Sequence, residues 1–286
     1  MNVRKLVVGT SAVLFLLWTI VPLYWVVSMS LMFKPELLSS PTHFYPHHPT
    51  GSNYTRLFGK RATGPDGTDL PPVGQAPQIR RGLVNSTVVA LSVVALTMLI
   101  ALPVAYALGR LSFRGKNILL LAIITSRSYP PLAIIIPFYY FFTRVHLQSS
   151  LRGLVVVYLT ASIPLVVWIM TGFFRSLPRT VEAAARVDGN TRFQAFYRVI
   201  LPMSAPGVAV VAAIAFMTAW NEFAFAMYLT SGSPAQTFPP TLSGLFFMVS
   251  LPNEMAAALV LSMIPPAVLA YLFQSRIRNL NLVDPL

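Results

Sequence analysis

The chain has no cysteine among its 286 residues and only 8 acidic residues, and its charged residues make up 10% of the total. Without cysteine there can be no disulfide framework, thiolate metal site or CxxC redox pair. A soluble domain of this size would carry about 25% charge, so the shortage excludes an ordinary soluble domain. With 55% hydrophobic residues, the composition is that of an integral membrane protein. Phosphate loops are missing too. The Gly-Lys pairs at 59–60 and 115–116 have Tyr54 and Arg110 where the motif needs its first glycine, so the chain shows no nucleotide site of its own. The net charge of +13 does not indicate nucleic acid, because the basic residues lie in short segments beside apolar runs, where membrane topology accounts for them.

What is present is a series of apolar runs. An uncharged window of 28 residues separates Lys5 from Lys34, long enough to cross a hydrocarbon core of about 30 Å. It is too long for a signal-peptide core and has no small-residue cleavage site behind it, so it reads as a retained span. Tyr24 and Trp25 would sit near its outer end as interfacial aromatics. The runs predict six spans, near 7–31, 83–108, 118–142, 153–174, 207–230 and 255–274, in one all-α transmembrane domain over 1–286. Residues 33–82 read as a polar outer loop, and TLSGLFFMVSL, in 231–254, as a short surface helix. His43, His47 and His48 lie in a run with three prolines and no carboxylate close in sequence; no metal site is assigned.

Two spans carry polar groups at depth. The third holds Arg127 and the Tyr129-Pro130-Pro131 step, and the fifth holds Trp220-Asn221-Glu222-Phe223. Adjacent prolines remove backbone donors, so the helix must bend against protein or a wet cavity. An ionisable group at that depth points to a transport path. Arg127, Tyr129, Trp220, Asn221 and Glu222 are therefore candidate substrate-path residues; the alternative is that Arg127 and Glu222 serve structure alone.

Between the fourth and fifth spans lies a charged segment, 175–206. Pro178 suits a helix start, Gly189 a left-handed end, and Thr191 with Gln194 a capping box opening a second helix. Phe193, Phe196, Tyr197 and Ile200 form one apolar face of that helix, and Pro202 ends it. Twelve Lys and Arg fall on the side of this segment and both termini, against two in the opposite short loops. Both termini and the segment are thus expected in the cytoplasm.

The string Glu182-Ala183-Ala184, Asp188-Gly189 and then Pro202 resembles the EAA motif of ATP-binding-cassette importer permeases, in the form seen in maltose-type sugar importers. Asn53-Tyr54, Asn85-Ser86, AYALGRLSFRGK, SRSYPP and WNEF extend the likeness over roughly 230 residues. Residues 60–80 look like an enlargement of the first outer loop, and the ending RIRNLNLVDPL lacks the glycine-bearing tail common in the family. The resemblance implies a non-enzymatic subunit of a bacterial or archaeal cytoplasmic membrane. It would work with a sister permease, two ATPase subunits that hold ATP and Mg, and an external solute-binding protein. It further implies that Glu182 meets a basic group on the ATPase, that Ala183 and Ala184 permit close approach, and that Gly189 makes the turn. Asp188, Phe193, Phe196 and Pro202 complete the coupling element. The competing expectation is an ion-coupled secondary transporter using Arg127 and Glu222. A membrane scaffold with no pore is the third.

Overall fold

The computed structural model describes residues 3–41, 43–249 and 251–278. The tail 279–286 and Ser250 lie outside the described residues. The elements in order are α1 (Val3–Ser30), α2 (Lys34–Leu37), α3 (Ser52–Leu57), a hairpin of β1 (Ala62–Thr63) and β2 (Asp69–Leu70), α4 (Ala76–Arg110), α5 (Lys116–Thr125), α6 (Pro131–Arg144), α7 (Leu151–Ser176), α8 (Arg179–Val187), α9 (Arg192–Ala195), a π turn (Phe196–Ile200), α10 (Leu201–Met203), α11 (Ala205–Trp220), α12 (Ala224–Thr230), α13 (Phe238–Val249) and α14 (Pro252–Arg278). Four of these are long and apolar enough to cross a membrane: Leu6–Ser30, Ala76–Arg110, Leu151–Ser176 and Pro252–Gln274. A fifth is obtained if Arg192–Met203 and Ala205–Trp220, bent by 79°, are taken as one span.

Among the described residues, four or five helices are thus long and apolar enough, against the six spans expected, and two of the expected spans are divided into shorter helices. The run at 118–142 is divided into α5 and α6 by a break at 126–130. Pro130 and Pro131 supply no N–H, and a residue before proline is pushed to extended backbone; Pro130 itself has φ −63° and ψ 130°. The run at 207–230 is likewise α11 and α12, separated by residues 221–223.

The chain divides into two compact units, residues 1–83 with 240–264, and residues 84–239 with 265–286. In the first, the expected polar loop at 33–82 is folded. Asn53 is buried and its amide donates to the carbonyls of Ser30 and Met32, both at 2.8 Å, while its Oδ1 accepts from Asn253 Nδ2 at 2.8 Å. Arg56 is ion-paired with the fully buried Glu254 and donates to the Pro71 carbonyl. Residues 62–70 form the small hairpin, whose turn places Gly67 at φ +78°. Thr68 bonds the Asp66 carboxylate there and holds its pKa below the ordinary value. The expected short helix in 231–254 is α13, in which Leu245 is fully buried and Phe246 is exposed. Nor is a carboxylate remote from the histidines: α2 brings Glu36 to His43 and His47.

The second unit is built on α4, α7 and α11. Its core includes Ala101, Ala105, Val166, Met170, Phe174, Val211 and Ala215. Where helices pack in lipid, the gain comes from close contact rather than from escape from water, so small residues matter. A Cβ added at Gly109 would meet the Thr171 carbonyl at 3.1 Å, and one at Gly207 the Phe173 ring at 2.9 Å. These two glycines set how near α4 and α11 come to α7. Asn85 holds the carbonyls of Pro234 and Gln236 at 2.9 and 2.8 Å, and Ser86 accepts from the Phe238 amide at 2.9 Å.

Candidate functional site

The segment between α7 and α11 begins with Leu177 and Pro178 in extended backbone, then α8. Pro178 occupies the cap, one residue ahead of the expected first helical position. Gly189 ends the turn at φ +88°, a conformation that only glycine adopts without strain. The capping box forms in full: Thr191 N donates to Gln194 Oε1 at 2.8 Å, and Gln194 N donates to Thr191 Oγ1 at 3.2 Å. Asp188 is exposed at the C-terminal end of α8, where the helix dipole disfavours a negative charge, and forms no ion pair among the described residues.

Glu182 does not stand free for a partner, nor does it pair with Arg186 within its own helix. Its Oε1 accepts from the Tyr106 hydroxyl at 2.8 Å, and its Oε2 accepts from Arg110 Nε at 3.0 Å. Arg110 also donates to the carbonyls of Leu177 at 2.8 Å and Pro178 at 3.0 Å. One buried guanidinium thus ties the last turn of α4 to both the entry and the body of α8. Tyr106 and Arg110 are four apart and share a helix face. That spacing, inside AYALGRLSFRGK, was the signal available in the sequence, although nothing in it named Glu182 as the partner.

The apolar face expected over 193–200 is split. Phe196 and Ile200 are buried in the core of this unit, with Phe196 4.7 Å from the ring of Tyr106 and 6.1 Å from that of Phe174. Phe193 and Tyr197 face outward, rings 4.7 Å apart, and Phe193 is 67% exposed. Phe193 and Tyr197 lie at one edge of the expected face, while Phe196 and Ile200 lie on the side that packs against the core; the stretch Phe196–Ile200 is a π turn. Pro202 follows it, and the chain bends at Ser204 rather than stopping at the proline. On α8, Ala185 is buried while Ala183, Ala184 and Val187 are exposed, Val187 by 87%. The segment therefore has one face locked into the membrane helices and another, small and apolar, left open.

The second candidate site is a cavity of about 360 Å³ lined by Ser126, Arg127, Tyr129, Tyr158, Thr160, Thr218, Glu222 and neighbouring apolar groups. Both helix breaks open onto it, which is why Arg127 and Glu222 meet here from positions almost a hundred residues apart. Glu222 also caps α12, accepting from the amides of Phe225 at 2.9 Å and Ala226 at 3.1 Å. Arg127 is exposed and forms no ion pair among the described residues. Of the expected path residues, Arg127, Tyr129 and Glu222 converge. Trp220 does not: it is buried and stacked on Phe216 at 5.6 Å. Asn221 lies in the break but does not line the cavity. Tyr158, Thr160 and Thr218 were missed because hydroxyl residues inside apolar runs carry no distinctive spacing.

Residues 98–279, which contain both sites, match the family described as binding-protein-dependent transport system inner membrane component. The sulfoquinovosyl glycerol transport system permease protein SmoH of Agrobacterium fabrum is 33% identical over 257 residues, covering 90% of this chain and 85% of that protein. The trehalose transport system permease protein SugB of Mycobacterium tuberculosis is 28% identical, covering 91% and 89%. Among solved structures, a bacterial ABC transporter involved in import of the acidic polysaccharide alginate superposes with a TM-score of 0.75 at 19% identity, covering 96% of each chain. That last likeness is one of fold.

Proposed function

The chain belongs to the family of binding-protein-dependent transport system inner membrane components, and from that premise we propose that it carries a sugar or polyhydroxylated solute into the cytoplasm. In this reading it forms half of a translocation pathway with a sister permease. A pair of ATPase subunits supplies the energy, and an external binding protein delivers the solute. Counting the α5–α6 pair and the α11–α12 pair as one passage each gives six crossings, with both termini and the 175–206 segment in the cytoplasm.

The observation that carries the reading is the two-sided 175–206 segment. ATP and Mg on the partner would close the ATPase pair; the open face of Ala183, Ala184, Val187 and Phe193 would ride in its cleft. Movement there would reach the membrane helices through two rigid links, the Glu182–Arg110–Tyr106 cluster and the buried Phe196 ring. The part assigned to Glu182 changes accordingly: it anchors the lever rather than gripping the partner. Solute selectivity rests on the relatives named for trehalose and sulfoquinovosyl glycerol, and on a cavity that pairs aromatic faces with hydroxyl, guanidinium and carboxylate groups suited to a sugar ring.

The test is uptake by cells whose membrane potential is collapsed while ATP is retained. Continued uptake supports the ATP-driven reading. Loss of uptake would instead favour ion coupling through Arg127 and Glu222, which line one cavity.

A further inference from the structure

We propose that Glu36, His43 and His47 form a binding site for a divalent transition cation, zinc foremost. One ligand atom from each lies within 4.8 Å of the others, although two prolines intervene between Glu36 and His47. Both candidate sites of the transport machinery lie elsewhere, and the inference does not depend on them.

The surroundings are those of a prepared site. Glu36 Oε1 sits 3.3 Å from His47 Nδ1, close to the spacing of about 3.4 Å that two ligands have on a tetrahedral zinc with bonds near 2.0–2.1 Å. Glu36 Oε2 is buried and has no hydrogen-bond partner among the described residues. A carboxylate oxygen without a donor loses its hydration for nothing, and a cation is the partner that offsets this best. Ser39 Oγ donates to the Glu36 carbonyl at 2.7 Å and lies 3.4 Å from His43 Nδ1. A hydroxyl on one ring nitrogen leaves the other for the metal and fixes the ring's direction. Tyr45 stacks on the His47 ring at 4.7 Å, and the two imidazoles are 4.2 Å apart between centroids.

Two imidazoles and one carboxylate are the protein ligands of open zinc sites, with water completing the tetrahedron. Oxygen-only cations such as magnesium and calcium do not suit this set. The cation would tie α2 to the segment 43–47, and that segment already rests on α1: the Phe44 carbonyl accepts from Tyr24 Oη and Ser28 Oγ, both at 3.2 Å. In a chain with no cysteine, such a clamp does what a disulfide would do for an exposed loop.

The full chain, purified without a polyhistidine tag, reconstituted in lipid nanodiscs and stripped with a chelator, is titrated with zinc by calorimetry and with cobalt by visible absorption. The expected result is saturation at one equivalent per chain, with a tetrahedral cobalt spectrum that zinc displaces. His43→Ala, His47→Gln and Glu36→Gln should each weaken zinc by at least about tenfold. His48→Ala, which alters a neighbouring histidine outside the cluster, should bind as the unaltered chain does. Thermal unfolding of each variant in metal-free buffer should match the unaltered chain, with only the latter stabilised by added zinc. The proposal is overturned if the unaltered chain takes up no zinc saturably, or if the double variant His43→Ala/His47→Gln binds it equally well.

Discussion

Arg110 and Glu182, 72 residues apart in the chain, meet through Nε and Oε2 at 3.0 Å, with the arginine side chain 2% exposed and the glutamate 17%. The pair joins the end of a membrane-length helix to the short helix that would face the ATPase. Glu182 is thereby tied to its own chain on both oxygens.

Removing one member of a buried ion pair leaves the other uncompensated, at a cost of order 3 kcal/mol. Arg110→Ala and Glu182→Gln should each lower ATP-coupled uptake strongly, and Arg110→Lys should not restore it, because one ammonium cannot serve Glu182, Leu177 and Pro178 in a fixed fork. The double variant Arg110→Ala/Glu182→Gln should be no worse than Arg110→Ala. Strictly additive losses would show that the two act separately.

Gly189 at φ +88° cannot be replaced by proline, whose ring holds φ near −65°. Gly189→Pro, and charge reversal by Glu182→Lys, should abolish uptake while the protein still inserts in the membrane. Normal uptake by either at matched membrane levels would remove the coupling role.

Phe193 and Phe196 are three residues apart and should fail in different ways. Phe196→Ala empties a core position and should cost about 3–5 kcal/mol of stability, seen as a lowered unfolding temperature. Phe193→Asp should leave unfolding unchanged and reduce capture of the ATPase subunits. A Phe193→Asp variant that is destabilised yet captures the ATPase fully would reverse the assignment.

Arg127→Ala should reduce solute uptake more than it reduces ATPase association, since its side chain lines the cavity and forms no ion pair among the described residues. Glu222→Gln should weaken both solute transport and the start of α12, because its carboxylate accepts from two backbone amides. Unchanged transport in both variants would favour a chain without a solute path here.

Glu254 is fully buried and paired with Arg56. Glu254→Ala should cost about 3–5 kcal/mol and show as a loss of monodisperse protein in size-exclusion chromatography. A yield equal to the unaltered chain would mean that the pair adds little to stability.

Local features were legible where backbone chemistry is decided by near neighbours. The Thr191–Gln194 box and the Gly189 turn stand as read. So does the disruption at Tyr129-Pro130-Pro131, although its extent was not foreseen: missing donors broke the helix outright. The face over 193–200 was read as one because spacing shows which residues share a side of a helix and not how far its neighbours cover that side; Tyr106 and Phe174 cover Phe196 and leave Phe193 open. The stretch 33–82 was read as a loop because its polar composition concealed a framework built on Asn53 and Arg56, whose partners lie about 200 residues away in sequence.

Composition alone determined that this chain belongs in a membrane, since a sequence so short of charge has no other way to bury its apolar surface. The left-handed turn at Gly189 and the Thr191–Gln194 box after it were readable as well, because caps and turns depend on a few adjacent residues. Which charges pair, which aromatic rings are buried, and that Arg127 shares a cavity with Glu222 were decided only by tertiary packing. Those contacts join residues tens to hundreds of positions apart, and in an apolar surrounding a polar group is compelled to use whichever partner the fold brings within reach.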